Sequence, residues 1–146
     1  MSGGFKIQEH TADIGIRVWA KTLPELFEEA AGAMISIIQD EKEKASEIRK
    51  TVHLDASSVD ELLFRWLREI LFLIENENVV YGRFHIETHN LAEKDADTYF
   101  LTANIQGTAF SKLRHEVCKE IKAVTRHGFY LKKNEPWWET SVLFDV

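Results

Sequence analysis

The spacing of apolar and polar positions changes several times along the chain, and each change marks an element. Residues 14 to 20, I-G-I-R-V-W-A, put Ile14, Ile16, Val18 and Ala20 on one face at period two, which predicts a strand with one buried side. In "KTLPELFEEAAGAMISIIQD" the period lengthens. Leu23, Leu26, Phe27, Ala30, Ala31, Met34, Ile37 and Ile38 fall at helical spacing and form a single apolar stripe. Thr22 and Glu25 make a capping box, because the hydroxyl and the carboxylate can each satisfy a free amide of the first turn. Pro24 suits that turn, where its missing N–H has no partner to lose.

A charged connection, "DEKEKASEIRK", leads into "IRKTVHLDA", where Ile48, Val52 and Leu54 predict an edge-like strand. The second helix is "SSVDELLFRWLREILFLIENEN". Ser58 and Glu61 repeat the capping box, and Val59, Leu62, Leu63, Trp66, Leu67, Ile70, Leu71 and Ile74 make the stripe. Asn76 and Asn78 stop it. The second half reads as strand: "RFHIETHN", "TYFLTANIQGTAF", "EIKAVT", "GFYLKK" and "ETSVLFDV", with "AEKDAD" as a hairpin loop and "KNEPWW" as a turn. Two helices among about six strands, without βαβ alternation, predict a single α+β domain over residues 1–146 built on a largely antiparallel sheet.

Composition narrows the class. The chain has 146 residues, 45% hydrophobic and 29% charged, which suits one globular core. The lone cysteine, Cys118, rules out an internal disulfide framework and fits a reducing cytosol, so a cytoplasmic location is expected. No apolar run reaches the roughly 20 residues of a membrane span, and no signal peptide is visible. A net charge of −6 argues against a domain that coats nucleic acid by itself. The charge is uneven, however: residues 111–133 carry seven Lys/Arg against two Glu, a net +5 that leaves −11 for the rest. That asymmetry suggests a basic patch on an acidic body, or equally a solvated strand pair with lysines facing water.

Few motifs carry chemistry. GxGxxG, P-loop and HExxH patterns are absent, which makes an intrinsic nucleotide-using enzyme a poor fit. On a regular strand, "HIETH" places His85, Glu87 and His89 on one face, roughly 7 Å between alternate residues, as zinc-like ligands. The simpler reading buries Phe84, Ile86 and Thr88 and turns the polar three to water. Cys118, with His115 or His127 as neighbours, lacks a nucleophile signature and reads as a packing residue. At the end of the chain, Asp145 stands next to the terminal carboxylate of Val146. Beside a third carboxylate these groups would repel unless a hard cation neutralised them. Set against this, termini commonly fray into solvent.

Five segments in order, "EHTADIGI", "LFEEAAGAM", "LLFRWLREILFL", "EIKAVTRHGFYL" and "WWETSVLFDV", resemble the archease family almost from end to end. The resemblance implies a protein cofactor with no catalytic residues of its own. Its partner would be the tRNA-splicing RNA ligase that joins 3′-phosphate or 2′,3′-cyclic phosphate ends to 5′-hydroxyl ends. The cofactor would promote guanylylation and multiple turnover of that ligase in tRNA splicing and RNA repair, with tRNA met only indirectly and no membrane involved. It also implies a divalent cation, Ca²⁺ foremost with Mg²⁺ or Mn²⁺ as alternatives, held by Asp13, Asp145 and Val146. Pairing the first and last strands antiparallel would bring those residues together. Lys122, Arg126 and His127 fall in the matching "KAVT-x-H" stretch and, with His10, are candidate contacts for the partner or for nucleotide phosphates. The chain departs from the family's pattern at Arg126, where an aromatic is common. Two rivals stay open: a chaperone or adaptor for a tRNA-modifying enzyme such as a methyltransferase, and a metal-dependent phosphodiesterase using Asp13 and "HIETH".

Overall fold

In the computed structural model of the chain, residues 3–9, 12–39, 48–109 and 119–146 are described. The elements run β1 (Gly4–Glu9), β2 (Asp13–Ala20), α1 (Leu23–Ile38), β3 (Ile48–Ala56), α2 (Val59–Glu77), β4 (Val79–His89), β5 (Tyr99–Ala109), β6 (Ala123–Asn134) and β7 (Trp137–Asp145). This is the expected α+β domain, with every strand pair antiparallel. The strands divide, however, between a four-stranded sheet, β1-β2-β7-β6, and a three-stranded sheet, β3-β5-β4.

Both helices start where their caps predict. The Thr22 hydroxyl accepts from Glu25 N at 3.3 Å and the Ser58 hydroxyl accepts from Glu61 N at 3.1 Å, each satisfying an amide that the first turn leaves free. Asn78 ends α2 in the left-handed conformation (φ 55°), which Asn tolerates better than most residues. The helices lie against both sheets, α1 on β2 and β4, and α2 on β3 and β6. One core results, with Ile14, Ile16 and Val18 from β2, Val142 and Phe144 from β7, and Leu101, Ala103 and Ile105 from β5. Trp66 of α2 is fully buried and donates its indole N–H to the Phe27 carbonyl of α1 at 2.8 Å, so the two helices are joined by a polar bond as well as by packing.

Three sequence expectations change. β1 was not anticipated; it is an outer strand whose residues 6 to 9 are exposed, so it lacks the alternation that marks a buried face. "EIKAVT" and "GFYLKK" are not separate strands: the last three residues of the first and all of the second belong to β6, which loses register with β7 between Thr125 and Tyr130. "HIETH" does not alternate regularly, because β4 shifts register between Ile86 and Thr88 and leaves Glu87 at the irregularity. "IRKTVHLDA" is the edge strand expected, at one side of the three-stranded sheet. No helix among the described residues is long and apolar enough to cross a membrane.

Replacing Trp66 with Phe removes the helix–helix hydrogen bond and leaves a small void in a site with no exposure. The expected cost is about 2 kcal/mol, read as a lower urea midpoint with an unchanged slope.

Candidate functional site

The second strand and the last pair with one another at the centre of the four-stranded sheet. β2 and β7 run antiparallel in an unbroken register from Asp13↔Asp145 to Ala20↔Trp138. Asp13 and Asp145 are therefore directly opposite on adjacent strands, where facing Cβ atoms stand about 4.5–5.5 Å apart. Ala123 of β6 flanks Asp145 on its other side, and Lys122 donates its backbone N–H to the Asp145 carbonyl at 2.8 Å. Val146 follows, half-buried and packed against the core. The local sequence helps set this arrangement. A Cβ at Gly15 would stand 3.0 Å from Leu143 Cδ2, so the glycine leaves that side chain its place on the same face.

Like charges directly opposite on a sheet repel, and here the repulsion meets partial burial. Asp13 Oδ1 is shielded from solvent and has no hydrogen-bond partner. A carboxylate oxygen that loses water without gaining a donor is costly. A hard divalent cation removes both penalties at once, since it takes oxygen ligands and neutralises facing carboxylates. The donor chemistry thus fits the ion expected for Asp13, Asp145 and Val146. Among the described residues no three His, Cys, Asp or Glu side chains gather as metal ligands.

The other candidates divide. Lys122 is exposed beside the tip. Arg126 and His127 are exposed in the irregular part of β6. Arg126 turns toward α2, where it forks onto the Glu61 carboxylate, Nη2 to Oε2 at 3.1 Å, and its guanidinium carbon sits 4.0 Å from the centre of the Phe64 ring. The bidentate bond to Arg126 is the main cause that holds the Glu61 carboxyl below its ordinary value. His10, His115 and Cys118 lie outside the described residues. "HIETH" belongs to the other sheet: His85 Nδ1 is 3.8 Å from Glu28, Glu87 accepts from the Asn104 amide, and His89 Nδ1 accepts from Leu91 N. Those partners account for the three polar side chains without a metal, and the strand stands in a different sheet from Asp13.

The basic stretch is less one-sided than its composition suggests. Lys119 approaches Glu9 at 4.0 Å, Lys132 approaches Glu139 at 3.9 Å and Lys133 pairs with Glu135 at 3.1 Å. Sequence reasoning missed Glu61 as the partner of Arg126 and missed Thr125, whose buried hydroxyl lacks a hydrogen-bond partner two residues along β6 from the position facing Asp145. A threonine in an alternating run carries no signal of that kind.

This fold, with its paired ends, has known counterparts. A model of the Archease protein family (MTH1598/TM1083) matches residues 5–146. The chain belongs to the archease family. Protein archease from Methanosarcina mazei is 33% identical over 142 residues, covering 97% of this chain and 95% of its own. Protein archease from Pyrococcus furiosus is 32% identical over 125 residues, 86% and 85% of the two chains. Among solved archease-like structures, the solution structure of Methanobacterium thermoautotrophicum protein 1598 superposes with a TM-score of 0.81 at 28% identity, covering 98% and 99% of the two chains. The crystal structure of an archease from Thermotoga maritima, described as a possible chaperone, shares the fold at a TM-score of 0.59 and 20% identity.

The Glu61–Arg126 fork has a pH signature. A carboxyl held low when folded adds stability above its unfolded value, near 4.5, and that stability is lost as pH falls through the lowered folded value. Urea midpoints measured from pH 6 to pH 3 should therefore fall less steeply for Glu61→Gln than for the parent chain.

Proposed function

We propose that this archease-family chain is a non-catalytic protein cofactor of the tRNA-splicing RNA ligase and that its working end is the Asp13–Asp145 tip. The observation that carries the reading is a pair of facing carboxylates, one with a buried oxygen lacking any donor, on the two central strands of the sheet. Asp13, Asp145 and the Val146 carboxylate would hold a divalent cation, Ca²⁺ foremost. When bound, the ion supplies charge neutralisation in an all-oxygen setting. The chain's own residues do the rest. The β2–β7 register fixes the spacing of the two aspartates, and the Lys122 backbone N–H holds the Asp145 carbonyl at the end of β7.

Guanylylation of a ligase histidine requires the charge on the transferring phosphate to be balanced and the nucleotide-competent conformation of the ligase to be populated. A helper that binds one conformation of the ligase better than the other supplies the second requirement without performing chemistry. A tip held by the paired ends of β2, β7 and β6 suits that role. Lys122, exposed beside it, would carry a positive charge to the same contact. The chaperone or adaptor reading for a tRNA-modifying enzyme needs only client binding, and the buried unpartnered carboxylate favours the ion-dependent reading over it.

Two measurements test this. Added Ca²⁺ should raise the melting temperature of the parent chain and leave that of Asp13→Asn unchanged. The same substitution should stabilise the metal-free protein slightly, because it removes a like-charge pair. In a single-turnover guanylylation assay, Asp13→Asn should bind the ligase yet fail to stimulate it. Full stimulation by the variant would overturn the role of the tip. Stimulation of the ligase by neither protein would overturn the cofactor reading itself.

A further inference from the structure

Phe72 of α2 is the most exposed large hydrophobic residue among those described, at 56%. It stands off the apolar stripe that faces the core. On the same outer side of α2, at helical spacing, lie Arg65, Arg68, Glu69 and Glu75, and the cleft they border with β6, about 830 Å³, is closed at its far side by Lys122 and Arg126. Beneath the charges, Leu54, Leu71 and Val124 make an apolar floor. An exposed aromatic among arginines over an apolar floor is the composition of a protein-binding surface, where Phe and Arg are enriched and supply most of the anchoring.

We infer that this α2–β6 cleft docks a protein segment that presents one or two carboxylates beside an apolar side chain. The charge count decides the occupant. Arg126 is already committed to Glu61, which leaves Arg65, Arg68 and Lys122 against Glu69 and Glu75. A net charge near +1 matches a few carboxylates, whereas a nucleic-acid strand brings one negative charge per phosphate to a chain of net charge −6. Arg68 lies 5.8 Å from the Phe64 ring and Arg65 donates to the Asp55 carbonyl at 3.2 Å. Both cations are thus partly held in place before any partner arrives, which lowers the ordering cost of binding.

The cleft adjoins the acidic tip where β6 begins. Lys122 lines the cleft and bonds the Asp145 carbonyl with its backbone, and Ala123, also in the lining, pairs with Asp145. A partner that receives the tip therefore also lies over the cleft. That extension rests on the ligase reading above; the cleft's preference for an acidic, apolar-centred segment does not.

The test uses the full chain, labelled for NMR, with three probes: the peptide acetyl-Gly-Glu-Leu-Phe-Glu-Gly-amide, a single-stranded oligouridine, and the ligase. The peptide should give saturable shifts confined to residues 65–75 and 122–126, lost in Phe72→Ala and in Arg68→Glu. Oligouridine should give none. Both variants should raise the concentration of chain needed for half-maximal ligase guanylylation about tenfold, while the plateau and the Ca²⁺-induced rise in melting temperature stay at parental levels. No saturable peptide shift at millimolar concentration overturns the inference, as does oligouridine binding at the same residues. Peptide binding at the cleft with no ligase stimulation by the parent chain overturns the cofactor reading and leaves the cleft assigned. Unchanged half-saturation in both variants removes the ligase as its occupant.

Discussion

The structure depends on one register, the pairing of β2 with β7. Because side chains alternate across a strand, a slip of one residue would turn Ile14, Ile16 and Val18 out of the core and bring Asp13, Gly15 and Arg17 in. The apolar face that the helices cover therefore enforces the placement of Asp13 opposite Asp145. The two carboxylates need no attraction for one another to meet; the core burial of the neighbouring positions places them there. The site is thus assembled by the same contacts that stabilise the fold, from residues 132 positions apart in sequence.

That origin has an energetic consequence. Two facing carboxylates, one with a buried and unpartnered oxygen, oppose the register that brings them together. The opposition is local and weaker than the burial of the surrounding Ile, Val and Phe side chains, each contributing about 1.5–3 kcal/mol. The fold can hold a mismatched tip, and a cation that relieves the mismatch adds stability without having to organise the chain. Such an ion is expected to raise stability by mass action and not to switch folding on, in contrast to small metal domains whose core is the metal site.

What the sequence disclosed follows from which signals are local. The helices were legible down to their caps, because a capping box and a 3.6-residue stripe act within a few turns. β2 was legible because one face is fully buried. β1 was not, since an outer strand with exposed residues has no pattern to impose. The irregularities in β4 and β6 were invisible for another reason: a register shift depends on the partner strand, which a single segment does not reveal. The division into two sheets is likewise a property of which strands find each other. Of the site, Asp145 stood out beside the Val146 carboxylate, and its pairing with Asp13 came from the family resemblance. The Glu61–Arg126 fork joins positions 65 apart, and nothing local announces it.

Arg126 shows how a departure from a family pattern can conserve the physics. The resemblance implies an aromatic at this position, and the chain carries a guanidinium. The guanidinium is itself planar and stacks on the Phe64 ring at 4.0 Å, while Phe129 meets the same ring edge-on with centroids 5.6 Å apart. Phe64 therefore keeps flat neighbours whether the strand supplies a ring or an arginine. The exchange introduces a charge, and Glu61, in the first turn of α2, accepts its fork. Together these contacts tie the irregular part of β6 to the first turns of α2 at the border of the cleft. A lysine here would keep the charge but lose both the stacking plane and the two-point bond. The position is then better understood as a clamp between strand and helix than as a free cation awaiting a phosphate.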